Sequence, residues 1–152
     1  MAAGNWILYT KFKEYMADGT IDLDTHTFKV HLVNGYTPAL THQLLATAAI
    51  ATAPSSNGGA TDFTLTGVTW AATGTSMKFD SSATATWTAT GGTLNATHAI
   101  IFDDTSTGVA DALVGYCDLN TSTTGPVAVT AGNTLSISFA ANGIFQLSGA
   151  TS

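Results

Sequence analysis

Arginine is missing from the sequence altogether, and lysine occurs only at positions 11, 13, 29 and 78. Four scattered cations cannot neutralise a run of phosphates, and a formal net charge of -6 repels a polyanion. Both facts argue against a nucleic-acid partner. Cysteine is nearly as scarce: Cys117 stands alone, so no intrachain disulfide framework exists, and its place in a strand pattern reads as a buried, inert thiol. Long apolar runs are missing too. The longest candidate, residues 44–53, is about half of the roughly 18 residues a membrane span needs and is broken by threonine, so no membrane partner is expected. Lys11, Lys13 and Glu14 interrupt the only early apolar stretch, and no signal peptide is expected. Charged residues of both signs make up only 9% of the chain, which leaves threonine, serine, asparagine and glycine to supply its polarity.

What the 152 residues do contain is one domain's worth of short apolar runs, enough to bury roughly 68–70% of the surface of the unfolded chain. The stretch 93–104 reads as the central strand. Leu94, Ala96, His98, Ile100 and Phe102 share one face, and Ile101 adds an apolar residue on the other, as a strand covered on both sides requires. Asp103-Asp104 and Thr105 to Gly108 are turn chemistry, and the run 112–119 follows closely enough to return as a hairpin neighbour. Phe28, Val30 and Leu32 alternate with Thr27, Lys29 and His31, and Leu135, Ile137 and Phe139 alternate with Thr134, Ser136 and Ser138. Further strand-like runs fall at 63–65, 68–70, 77–79, 83–90, 126–130 and 143–148. Spacing near 8–12 residues predicts a mainly β fold, a β-sandwich or jelly-roll-like single domain over residues 1–152.

One N-terminal α-helix is expected at about residues 6–17. Asn5 would cap it, Leu8, Phe12, Tyr15 and Met16 would share its buried face, and Gly19 would take the left-handed position beyond its end. Trp6 and Tyr9 lie off that face and are the candidate contacts to another subunit or to a shell. Leu40, Leu44, Leu45 and Ala48 at helical spacing predict a second short helix within 39–54.

A search for reactive constellations returns little. The sequence contains no G-x-S-x-G, no H-E-x-x-H and no phosphate-cradling glycine loop, so no enzymatic activity is expected. His26, His31, His42 and His98 are not at metal-ligand spacings, and His98 reads as a packed strand histidine. His26 with Asp22 and Asp24 could form a small site, and Asp103, Asp104, Thr105 and Asp111 are the best acidic cluster. Both are adequately explained as turns, because the alternating ligands and terminal glutamate of a calcium loop are missing. No cofactor or metal is expected. Asn95-Ala-Thr97 and Asn120-Thr-Ser122 match glycosylation acceptors, as a threonine-rich chain does by chance.

Asn5-Trp-Ile-Leu-Tyr-Thr-Lys-Phe-Lys-Glu14, the strand Asp22-Leu-Asp-Thr-His-Thr-Phe-Lys-Val-His-Leu-Val33 and Tyr36-Thr-Pro38 together resemble a group of small virion proteins of tailed bacteriophages. Three later blocks agree in order and spacing: Ala99-Ile-Ile-Phe-Asp-Asp104, Val114-Gly-Tyr-Cys-Asp-Leu119 and Asn142-Gly-Ile-Phe-Gln-Leu-Ser148. The chain departs from the group at Gln43, where an aspartate is common, and in the alanine and threonine richness of 44–62. The resemblance implies a structural protein of the virion, foremost a capsid cement or decoration protein whose partner is the major capsid protein. Such proteins commonly occupy three-fold positions, which makes a homotrimer the expected self-assembly. Physical chemistry adds a motive, since a chain 45% apolar and 9% charged has apolar surface to bury between subunits. The alternatives are a tail or fibre module binding host carbohydrate and, last, a small hydrolase. An exposed platform of Trp6, Trp70 or Trp87 would favour the carbohydrate binder, and aromatics buried in the core or between subunits the structural protein.

Overall fold

The computed structural model describes residues 4–46, 57–59, 61–106, 108–122 and 125–149. Within them the chain is mainly β, with one short helix and several antiparallel sheets in a sandwich-like arrangement. The largest sheet has five strands. At its centre β8 (His98–Asp103) lies between β2 (Phe28–Val33) and β9 (Ala112–Asp118), with β1 (Ile7–Leu8) outside β9 and β3 (Phe63–Thr64) outside β2. Ala99 to Asp103 are all buried, so the expected central strand with cover on both faces is found, and its hairpin return is β9.

Threonine 97 divides the expected 93–104 strand. Its N–H and hydroxyl both donate to the Val33 carbonyl, and its own carbonyl accepts from Leu119 N–H. The residues before it form β7 (Leu94–Ala96), which pairs with β10 (Val127–Val129) in a separate two-stranded sheet. A second pair joins β6 (Thr84–Thr88) to β11 (Thr134–Ser138). The remaining sheet has β5 (Ser76–Ser81) between β4 (Val68–Thr73) and β12 (Phe145–Ser148). A two-residue turn joins β4 to β5, and Gly74 takes a φ of 61° there, a conformation that favours glycine and matches the twist of the hairpin.

The helix α1 runs from Thr10 to Ala17 rather than from residue 6, and its N-cap is Tyr9, not Asn5. Ile7 and Leu8 are withdrawn from it because they pair with Tyr116 and Gly115 at the sheet edge. A β-bulge in β9 assists. The register shifts between Ile101 and Phe102, and the carbonyl of Val114 accepts the Tyr9 N–H at 3.1 Å. Gly115 allows the close approach of β1, since a Cβ there would stand 3.0 Å from the Ile7 carbonyl oxygen. The C-terminal end is as expected, with Gly19 at φ 79°.

The second helix expected at 39–54 is not found at 39–46; residues 47–56 lie outside the described residues. The 39–46 segment is zipped to the start of β9 instead, with Gln43 O accepting from Leu113 N–H and Leu45 N–H donating to Asp111 O. The core is an aromatic chain across the layers: Phe12 of α1 meets Phe145 edge-on at 5.5 Å, Phe145 meets Phe79 at 5.3 Å, and Phe79 meets Phe28 of β2 at 5.1 Å. Such ring pairs add roughly 0.5–1.5 kcal/mol each beyond their buried area.

Candidate functional site

Of the two residues expected to contact another chain, the structure places Tyr9 inside. Its side chain is fully buried, its ring packs 5.4 Å from Tyr116, and its hydroxyl lies 3.1 Å from that of Tyr36. The expectation is corrected because residues 7–8 are strand, so helical phase does not govern where Tyr9 points. Trp6 is half-buried and leans on Phe139 at 5.9 Å, with part of its surface open.

Tyr9 belongs to a cluster of phenols and imidazoles with Tyr36, His42, His98 and Tyr116. The Tyr36 hydroxyl is hydrogen-bonded to that of Tyr9 and to Nδ1 of His42, the latter at 2.6 Å, and His98 stands edge-on to Tyr36 and Tyr116. Burial and then the Tyr36 hydrogen bond push the Tyr9 hydroxyl far above the usual phenol range, and burial raises Tyr36 as well. Burial also lowers His98, and Asp118 opposes the shift. The hydrogen bonds from Tyr9 through Tyr36 to His42 tie the residue after β1 to the 36–42 loop. His98 is a packed strand histidine, as expected.

The acidic residues are similarly occupied. Asp103 is fully buried, with one carboxylate oxygen 2.6 Å from Nδ1 of His26 and the other accepting from the N–H and hydroxyl of Thr105. Asp104 pairs with Lys29 at 2.7 Å. His26 keeps the expected tie to Asp22, whose N–H donates to Nδ1 at 3.3 Å and whose carbonyl accepts the His26 N–H at 3.1 Å, and the fold adds Asp103 across the hairpin end. Among the described residues no group of three or more His, Cys, Asp or Glu could hold a metal ion. Cys117 is buried and donates to the Gly4 carbonyl at 3.0 Å, and burial pushes its thiol up to about 11. A thiol held in that way is a poor nucleophile at neutral pH.

The surface offers more than these clusters do. On β6 and β11 the residues Thr84, Thr86 and Thr88 stand directly across from Ser138, Ser136 and Thr134, and all six are exposed. This makes a flat face of short hydroxyl side chains without charge. Behind it, Ala85 and Trp87 are buried, and Trp87 Nε1 donates to the Thr61 carbonyl. Beside β11 runs a groove of about 740 Å³, bounded by residues 4–6, by 135–138 and by 142–146, with Leu119, Val127 and Cys117 at its base. None of its lining residues carries a formal charge.

No family model matches this chain, and neither a curated protein nor a solved structure matches it. Among the described residues, no helix is long and apolar enough to cross a membrane. The hydroxyl face and the uncharged groove can bury area against a partner while displacing few strongly hydrated groups. Short side chains also lose little rotamer freedom when covered. Sequence reasoning found Trp6 but missed the groove, because the groove depends on which strand edges are left unpaired.

Proposed function

We propose that this chain is a structural subunit of a tailed-bacteriophage virion, a capsid cement or decoration protein that docks on the major capsid protein and stabilises the head. The observation that carries the reading is the uncharged surface around Trp6, the β11 groove and the hydroxyl face, which suits docking on another protein. The placement of the tryptophans weighs against the carbohydrate-binding alternative: Trp87 is buried, Trp70 packs half-buried against Phe145, and Trp6 leans on Phe139. No exposed aromatic platform for a sugar ring is formed among them. Exposed Ile7, Leu40 and Leu147 are apolar surface that a homotrimer would cover. Sedimentation equilibrium returning only monomer at high concentration would overturn the trimer.

Imaging tests the docking. Particles carrying the chain with a tag fused after Ser152 are expected to show label over the head in electron micrographs. Label confined to the tail would replace the cement reading with the tail or fibre one, and unlabelled particles would remove the chain from the virion.

A further inference from the structure

We propose that the groove beside β11 is an acceptor site for an extended, uncharged strand of another polypeptide, which joins the β6–β11 pair as its third strand. The register of β11 carries the argument. Asn133 lies opposite Ala89 in the continuation of the ladder, and its carbonyl accepts the Ala89 N–H at 2.8 Å. Hydrogen-bonded and non-bonded pairs alternate along an antiparallel ladder, so Leu135 with Trp87 and Ile137 with Ala85 are the next bonded pairs. The closely approaching hydroxyls of Thr88 and Thr134, 3.3 Å apart, fit the non-bonded position between them. It follows that the N–H and C=O groups of Ser136 and Ser138 point away from β6.

Among the described residues no strand pairs with β11 on that side. The groove lies there. Its wall is four consecutive residues, Leu135 to Ser138, as when a strand is presented edge-on, and its far wall is another consecutive run, Asn142 to Gln146. Sheet edges are commonly guarded by lysine, proline or an inward charge, and β11 has none of these. An open edge with apolar side chains at its base is the arrangement that binds peptides by strand addition. Main-chain hydrogen bonds supply affinity, and alternate side chains fill the apolar base. The absence of charge from the lining selects the occupant: a neutral strand with apolar residues at every second position, since a charged side chain placed there would be desolvated without a counter-charge.

This inference adds a class of partner to the assembly reading and rests on it for the origin of the strand. The test needs no virions, so it can fail while that reading stands. The probe is a capped peptide, Gly-Ser-Val-Thr-Val-Thr-Val-Ser-Gly, titrated into the full chain and followed by amide NMR and hydrogen exchange. The amides of Ser136 and Ser138 are expected to exchange freely without peptide and to become protected with it. The same peptide N-methylated at alternate residues should bind at least about tenfold more weakly. Ser136→Pro removes an N–H that the β6 ladder does not use, so the variant should fold and lose binding to a similar degree. If that variant fails to fold, the N-methylated peptide and the exchange data decide alone. Ser136 and Ser138 amides already protected in the free protein, no binding at millimolar peptide, or equal binding of the N-methylated peptide would each overturn the proposal.

Discussion

Tyr9→Ala is expected to destabilise the domain by about 3–5 kcal/mol, the cost of truncating a large buried aromatic side chain. For a chain of this length that corresponds to a fall in melting temperature of roughly 6–20 °C. The ring is fully enclosed, packs on Tyr116 and anchors the hydroxyl chain to Tyr36 and His42. Tyr9→Phe keeps the packing and loses one hydrogen bond, so it should cost about 1 kcal/mol. Urea unfolding of the three proteins checks the order. A Tyr9→Ala protein as stable as the parent would mean that the side chain is not held in the core.

The second large effect is expected at Asp103. Asp103→Ala should cost about 2–3 kcal/mol, because it removes a fully buried carboxylate and strips partners from the half-buried His26 and from the N–H and hydroxyl of Thr105. Asp103→Asn keeps an oxygen for Thr105 and should cost less. Differential scanning calorimetry distinguishes a structural from a ligand-holding role. If Asp103→Ala left the unfolding transition unmoved, the carboxylate would not be the internal tie between the 22–27 turn and the β8–β9 hairpin.

Much of this architecture was legible where the information is local. The period-two alternation of 28–33 and 134–138 marks both strands within a residue or so, and the Asp103-Asp104 turn announces the return of β9. The chain was misread where a distant partner overrides a local pattern. Leu8, Phe12 and Tyr15 fit a helical face, yet Ile7 and Leu8 belong to the edge of β9 and the helix waits until Thr10. Thr97 carries no breaking signal, and only its bonds to Val33 and Leu119 separate β7 from β8. The leucines of 40–45 are helically spaced but are bound to the start of β9. As for the candidate site, Trp6 could be picked out as an aromatic of uncertain face, but the unpaired edge of β11 depends on pairing parity, which no single sequence segment encodes.

The proposed docking role is tested most directly by the incorporation of Trp6→Ala into particles, measured against the parent chain by quantitative mass spectrometry of purified virions. Trp6 borders the groove at the edge of the core, half-buried and in ring contact with the half-buried Phe139, so the variant should stay folded in circular dichroism. A tryptophan that anchors an interface is worth about 2 kcal/mol or more, so docking should weaken by about thirtyfold or more and occupancy under limiting protein should fall accordingly. A folded Trp6→Ala protein that enters particles at the parental level would contradict the assignment of this surface to docking.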